Sequence, residues 1–108
     1  MPSRLEDHAL QLAALGHPVR LAIVRHLVQG GPGGTAAGDV QARLDVPAST
    51  LSHHLERLAS AGLVSSRREG TFLYYSPELA VLRHLTEYLW EDCCNRGKPC
   101  CPSRGERR

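Results

Sequence analysis

Apolar residues recur with a helical period over most of this chain and with a period near two over one short stretch. Leu5, Ala9, Leu12 and Leu15 are spaced as one face of a helix that stops at Gly16. Pro18 suits the first turn of a second helix, whose Val19, Leu21, Ala22, Ile23, Val24, Leu27 and Val28 leave few polar sides and argue for burial. The run Gly30-Gly31-Pro32-Gly33-Gly34 predicts a loop. No strand precedes it and no Gly-Lys-Ser/Thr follows, so it lacks the surroundings of a phosphate cradle. Thr35 is placed to cap a short third helix with Ala36, Val40 and Leu44 inward, and Asp45-Val46 predicts a tight turn. From Pro47 to Gly62 a fourth helix follows, with Pro47 in its first turn, Gly62 just past its end, and Leu51, Leu55 and Leu58 in one apolar stripe. Two short helices joined this closely form a helix-turn-helix.

After Gly62 the period changes. Leu63 to Arg68 and Thr71 to Ser76 read as two strands joined by a turn at Glu69-Gly70, which puts Arg67 and Arg68 at the tip of a hairpin. Tyr74 and Tyr75 alternate across the second strand, one toward the core and one outward. Ser76-Pro77-Glu78 reads as a helix start, with Ser76 as cap and Pro77 in the first position. The last helix carries Leu79, Val81, Leu82, Leu85, Tyr88, Leu89 and Trp90, an apolar surface wider than one small domain covers, and so implies a symmetry mate as well as its own core. The expected fold class is mainly α with a β-hairpin wing, a winged helix-turn-helix of order α-α-α-α-β-β-α.

This order bears on chemistry. Opposite the leucine stripe of the fourth helix lie Ser49, His53, Glu56 and Ser60, flanked by Thr50, Ser52 and Arg57. Small hydroxyls, imidazole and guanidinium on a helix that docks by its apolar back suit the reading of a DNA major groove. A hairpin directly after a helix-turn-helix is a wing, whose Arg67 and Arg68 can reach phosphate or a minor groove. The candidate DNA contacts are therefore Ser49, Thr50, Ser52, His53, His54 and Arg57 on the helix and Arg67 and Arg68 on the wing, with double-stranded operator DNA as partner. His54 lies beside the apolar stripe, placed as well to brace the helix as to touch DNA. Glu56 would repel phosphate and is expected to point away.

At 108 residues the chain is one small domain with a marginal core, for which a shared dimer face is a natural remedy. A net charge of +2 rules out a broad basic footprint, so any nucleic-acid surface is local. No apolar run approaches a membrane span, and Arg4, Glu6 and Asp7 interrupt the N-terminus early, so a soluble cytoplasmic protein is expected. All four cysteines fall in the last sixteen residues, as Cys93-Cys94 and Cys100-Cys101. So close a set cannot staple distant segments and points to metal or redox chemistry.

Neighbouring cysteines in a regular helix project about 100° apart and share an ion only if the helix ends there. Asn95, Gly97 and Pro99 supply that ending, and the loop they form can return Cys100 toward the first pair. Cys93, Cys94 and Cys100 would then make a cup of three thiolates, suited to trivalent arsenic or antimony, whose lone pair occupies the remaining direction; methylated arsenic needs only two. Cys101 is a spare, a replacement for Cys100 or a fourth ligand. Zinc or cadmium is the first rival, although zinc sites space paired cysteines by two to four residues. Redox switching is the second, since Arg96 and Lys98 favour thiolate, and an exposed, disordered cysteine-rich tail without a ligand is the third. An enzyme is not expected, because no oxyanion loop surrounds Cys93 or Cys100. The organisation expected is a DNA-binding and dimerisation domain over 1–92 and a cysteine-rich sensing tail over 93–108, with no organic cofactor.

Four fragments resemble the ArsR/SmtB family of metal-sensing winged-helix repressors. Ala14-Leu15-Gly16-His17-Pro18-Val19-Arg20-Leu21-Ala22-Ile23-Val24 is similar to its "ALADPxRLxIL" entry into the second helix. Ser49-Thr50-Leu51-Ser52-His53-His54-Leu55 is similar to its "STVSxHL" recognition helix. Ala61-Gly62-Leu63-Val64 resembles its helix exit, and Arg67-Arg68-Glu69-Gly70 with Tyr74-Tyr75 its wing. The resemblance covers about residues 5 to 92 and implies a twofold dimer built on the first and last helices that binds an inverted repeat and represses transcription. The family's "ELCVCDL" sensing motif is absent, with Ala36 and Gly38 at its cysteine positions, and of its zinc site only His84-x-x-Glu87 is present. Arsenic-responsive members resemble this chain in having a cysteine pair just after the last helix and a third cysteine six residues on.

Overall fold

The computed structural model describes residues 4–94 together with Arg96 and Gly97. Helices α1 (Arg4–Leu15), α2 (Pro18–Gly30), α3 (Ala37–Leu44), α4 (Ala48–Ser60) and α5 (Leu79–Trp90) surround strands β1 (Thr35–Ala36), β2 (Val64–Glu69) and β3 (Phe72–Pro77). The strands form one antiparallel sheet in the order β1-β3-β2. This is the winged helix-turn-helix anticipated above, with one strand more.

Local chemistry sets the helix ends. Pro18 opens α2, and the His17 Nδ1 accepts the Val19 N–H at 3.1 Å as an N-cap. At the end of α4, Gly62 takes φ +79°, its N–H donates to the Ala59 carbonyl, and the Leu63 N–H donates to the Leu58 carbonyl. That pair of bonds is a Schellman closure, for which glycine is favoured. The Leu63 carbonyl then accepts the Glu78 N–H at 2.9 Å, tying the end of α4 to the start of α5. Between α3 and α4 the turn is made at Asp45, at φ 55°.

Four local expectations are corrected. Thr35 caps no helix: it pairs with Tyr75 as β1, and the N-cap of α3 is Ala36, without a side-chain bond. Ser76 is likewise committed to the hairpin, opposite Ser65, and Glu78 is the N-cap of α5, leaving Pro77 in the strand. Pro47 stands one place outside α4 as its N-cap. The wing turn lies at Gly70-Thr71, one residue later than expected, because the glycine at φ +62° must occupy the first central position of the two-residue turn.

The core gathers Ile23, Val24 and Leu27 of α2, Val40 of α3, Leu51, Leu55 and Leu58 of α4, and Leu63 and Val64. Burying each of the α4 leucines stabilises the docked helix by about 1.5–3 kcal/mol. From α1 only Ala14 is buried and from α5 only Leu85. Leu5, Leu10 and Leu12 of α1 and Leu79, Leu89 and Trp90 of α5 are exposed, so both helices keep apolar surface outside the core. No helix among the described residues is long and apolar enough to cross a membrane.

Candidate nucleic-acid interface and thiol site

Helix α4 is amphipathic to its ends. Ser49, Thr50, Ser52, His53 and Arg57 are exposed, as is Glu56, while the leucine stripe is buried. Pro47 offers no side-chain cap, and the first intrahelical bond is from the Leu51 N–H to the Pro47 carbonyl. The N–H groups of Ala48, Ser49 and Thr50 thus have no intrahelical acceptor, and with the helix dipole they suit a phosphate oxygen. Arg57 lies nearer the other end, lining a shallow groove between α1 and α4 with Asp7, Leu10, Gln11 and Ser60.

His54 is placed differently from its neighbours. Only 7% of its surface is exposed, and its ring lies 4.6 Å from that of His17. Its Nδ1 is 3.3 Å from Nη1 of Arg20, itself buried, whose Nε donates to the Ala14 carbonyl at 2.6 Å. Of its two anticipated roles the bracing one is realised, and His54 leaves the set of DNA-facing residues. Burial, followed by the nearby His17, Arg20, His53 and Arg57, holds its basicity below the usual histidine value. His17 and Arg20, on either side of Pro18, complete this joint: the first caps α2 and the second reaches the end of α1.

The wing arginines part company too. Arg67 pairs across the hairpin with Tyr74 and lies over its ring at 4.9 Å. Its Nε donates to Glu69 at 2.7 Å and its Nη1 to the Gly33 carbonyl at 3.2 Å. It therefore braces the wing against the glycine loop, set back from the tip where it was expected. Arg68, opposite Leu73 on the other face, is exposed and takes part in no such brace. At the tip Phe72 is 61% exposed, an aromatic that the sequence reading had left out of the candidate contacts. The Tyr74 and Tyr75 side chains do alternate: Tyr75 packs on the core and Tyr74 under Arg67.

The thiol pair follows the end of α5. The helix stops at Trp90, and Asp92 and Cys94 take φ of +58° and +64°. Left-handed backbone is unusual for a cysteine, and strain of this kind gathers at functional positions. The Cys93 and Cys94 sulfurs lie 3.4 Å apart beyond the helix end. Just before them Glu91 pairs with Arg4 at 2.8 Å, and Arg4 and His8 both lie against the Tyr88 ring, so the start of α1 is fastened to the end of α5. Cys100 and Cys101 lie outside the described residues. Among the described residues no three His, Cys, Asp or Glu side chains are grouped to hold a metal ion, His84 and Glu87 included.

Comparison with known proteins fits this architecture. Residues 15–67 match the family model described as a helix-turn-helix domain. The chain is 34% identical over 94 residues to the biofilm growth-associated repressor of Agrobacterium fabrum, covering 87% of this chain and 78% of that one. It superposes on the homodimeric winged helix-turn-helix DNA-binding domain Mb0332 of Mycobacterium bovis, described as a possible ArsR-family regulator, with a TM-score of 0.64, 32% identity and 82% of each chain covered. A crystal structure of a possible transcriptional regulator for arsenical resistance gives a TM-score of 0.62 and 34% identity, over 74% of this chain and 83% of that one. Together with these relatives, the helix-turn-helix and its following wing make the chain a DNA-binding transcriptional regulator. Within that class the chain belongs to the ArsR/SmtB-type family.

Proposed function

We propose that this protein is a cytoplasmic, homodimeric repressor that binds operator DNA through α4 and the wing and is released when trivalent arsenic or antimony binds Cys93, Cys94 and Cys100. The observation that carries the ligand assignment is the convergence of the adjacent thiols at 3.4 Å. Sulfurs this close can share one ion, and soft thiolates suit arsenic and antimony. Cys100 is the third ligand for inorganic arsenite, while methylarsenite needs the pair alone.

Dimerisation is supported by the exposed apolar rows of α1 and α5 and by the homodimeric state of the Mycobacterium bovis relative. The Arg4–Glu91 pair makes the route from ligand to DNA short. A turn over 91–94 that closes around an ion moves the end of α5 against the start of α1, the two helices that the dimer shares. The separation of the two recognition helices then departs from the roughly 34 Å between successive major grooves. Coupling of about 1–3 kcal/mol weakens operator binding about 5- to 150-fold.

A disulfide between Cys93 and Cys94 is disfavoured, because a trans peptide holds neighbouring Cα atoms about 3.8 Å apart, below the span of ordinary disulfides. The test is release of the full chain from its own upstream DNA, with arsenite, antimonite, methylarsenite, cadmium and zinc titrated separately. Release by the trivalent ions is expected. Release by zinc or cadmium alone overturns the ligand assignment, and release by a thiol oxidant alone replaces it with redox sensing.

A further inference from the structure

His54, Arg20 and His17 form a buried polar joint at the meeting of three elements, and nothing in the proposed ligand chemistry uses it. Arg20 donates from Nε to the Ala14 carbonyl in the last turn of α1, while its Nη1 lies 3.3 Å from the His54 Nδ1 of α4. A guanidinium has only donors, so His54 Nδ1 is the acceptor and carries no proton. His17 Nδ1 is an acceptor as well, since it receives the Val19 N–H that caps α2. The His54 ring therefore serves its bond only while neutral, with the proton on Nε2.

The groups that face His54 are His17 from the α1–α2 junction, Arg20 from α2, and His53 and Arg57 from α4 itself. None is acidic. A proton on His54 would turn its Nδ1 into a donor aimed at a donor and would add a positive charge beside a buried guanidinium. The ring cannot answer by moving to solvent within the docked helix, because only 7% of it is exposed.

We propose that His54 and Arg20 are positioning residues for operator binding, a joint that fastens the recognition helix to α2 and to the end of α1 only while His54 is neutral. Acidification then loosens α4 without altering its DNA-facing side chains. The sign follows from the bonds: burial first, and the neighbouring cationic groups after it, disfavour protonation in the docked helix, whereas the undocked ring titrates at the ordinary 6.5. The contribution of the joint to docking is complete above that pH and declines as the pH falls below it, by at most about tenfold per pH unit for one proton. The inference rests on the DNA-binding reading of α4 and is independent of the thiol ligand.

The experiment uses the full chain and two readouts. Long-range nitrogen–proton NMR of the free protein reports the His54 tautomer and titration; the expected result is an Nε2–H ring that stays neutral below the usual histidine range. Operator affinity is then measured from pH 8 to pH 5.5 for the wild type, His54→Asn and His54→Leu. Asparagine places Oδ1 where Nδ1 stood, accepts from Arg20 and does not titrate. His54→Asn is expected to bind within about threefold of wild type at pH 8, and the affinity ratio of wild type to His54→Asn falls as pH falls. His54→Leu leaves Arg20 without its acceptor and binds weakly throughout. A ratio that does not change with pH, or a His54 ring protonated on Nδ1 at neutral pH, overturns the proposal. The NMR arm decides it even if a variant fails to fold, and loss of DNA binding by every form at pH 8 refutes the DNA reading instead.

Discussion

Two glycines separate backbone strain from crowding and test the brace behind the wing. Gly62 sits at φ +79° with nothing within 4 Å of where a Cβ would be. Gly34 sits at φ +99°, where an added Cβ would meet Ser76 Oγ at 3.0 Å, Arg67 Nη1 at 3.4 Å and Tyr74 Cβ at 3.5 Å. Gly62→Ala carries strain alone, about 1–2 kcal/mol. Gly34→Ala adds crowding against β3 to a similar strain, about 2–4 kcal/mol in all. Because 1 kcal/mol moves the melting temperature of a domain this size by about 4–8 °C, the two variants separate in thermal and urea melts at matched protein concentration. They also separate in function. Gly34→Ala pushes on Arg67, which holds the Gly33 carbonyl, and so displaces the wing and weakens DNA binding at a temperature where the protein stays folded. Gly62→Ala leaves DNA affinity near wild type under the same conditions. If Gly34→Ala cost no more than Gly62→Ala, or spared DNA binding, the account of the glycine loop as a support for the wing would be wrong.

Other substitutions reach the remaining parts of the interface. Arg68→Ala lowers the slope of log affinity against log salt by about 1 in an anisotropy titration, whereas a variant that keeps the wild-type slope removes Arg68 from the phosphate contacts. His53→Ala weakens operator binding by about 1–3 kcal/mol and narrows the preference for operator over unrelated DNA. Leu89→Glu places a charge on an outward residue of α5, so folding is retained by circular dichroism while light scattering shows a shift from dimer to monomer. Trp90 is the one tryptophan and its carbonyl accepts the Cys93 N–H, so arsenite is expected to change its emission in the wild type and not in Cys93→Ser.

Most of the architecture was legible wherever burial and backbone geometry imposed the same pattern on consecutive residues. The leucine stripe of α4, Pro18 at the start of α2 and Gly62 past the end of α4 each reflect a local rule with a strong physical cause. Strand β1 was not legible, because two residues carry no periodicity and Thr35 suits a cap as well as a strand. What decided it was the distant partner Tyr75. Ser76-Pro77-Glu78 misled for a similar reason: pairing with Ser65 overrode a good local capping signal. At the site, exposed serines, threonine and imidazole on one helix face were readable from periodicity. So was the split between His53 outward and His54 beside the leucine stripe; that His54 braces the helix depended on Arg20 and His17, thirty or more residues away. Arg67 and Arg68 are indistinguishable by type and differ only in which face of the hairpin they occupy.

The most direct test of the central claim is arsenite titrated into the preformed complex of the full chain with its own upstream DNA, for the wild type, Cys93→Ser and Cys94→Ser. The account predicts that arsenite weakens wild-type binding about 5- to 150-fold and that both variants bind DNA normally but stay bound. Release of the variants at the wild-type arsenite concentration, or a wild-type complex that arsenite leaves intact, would contradict it.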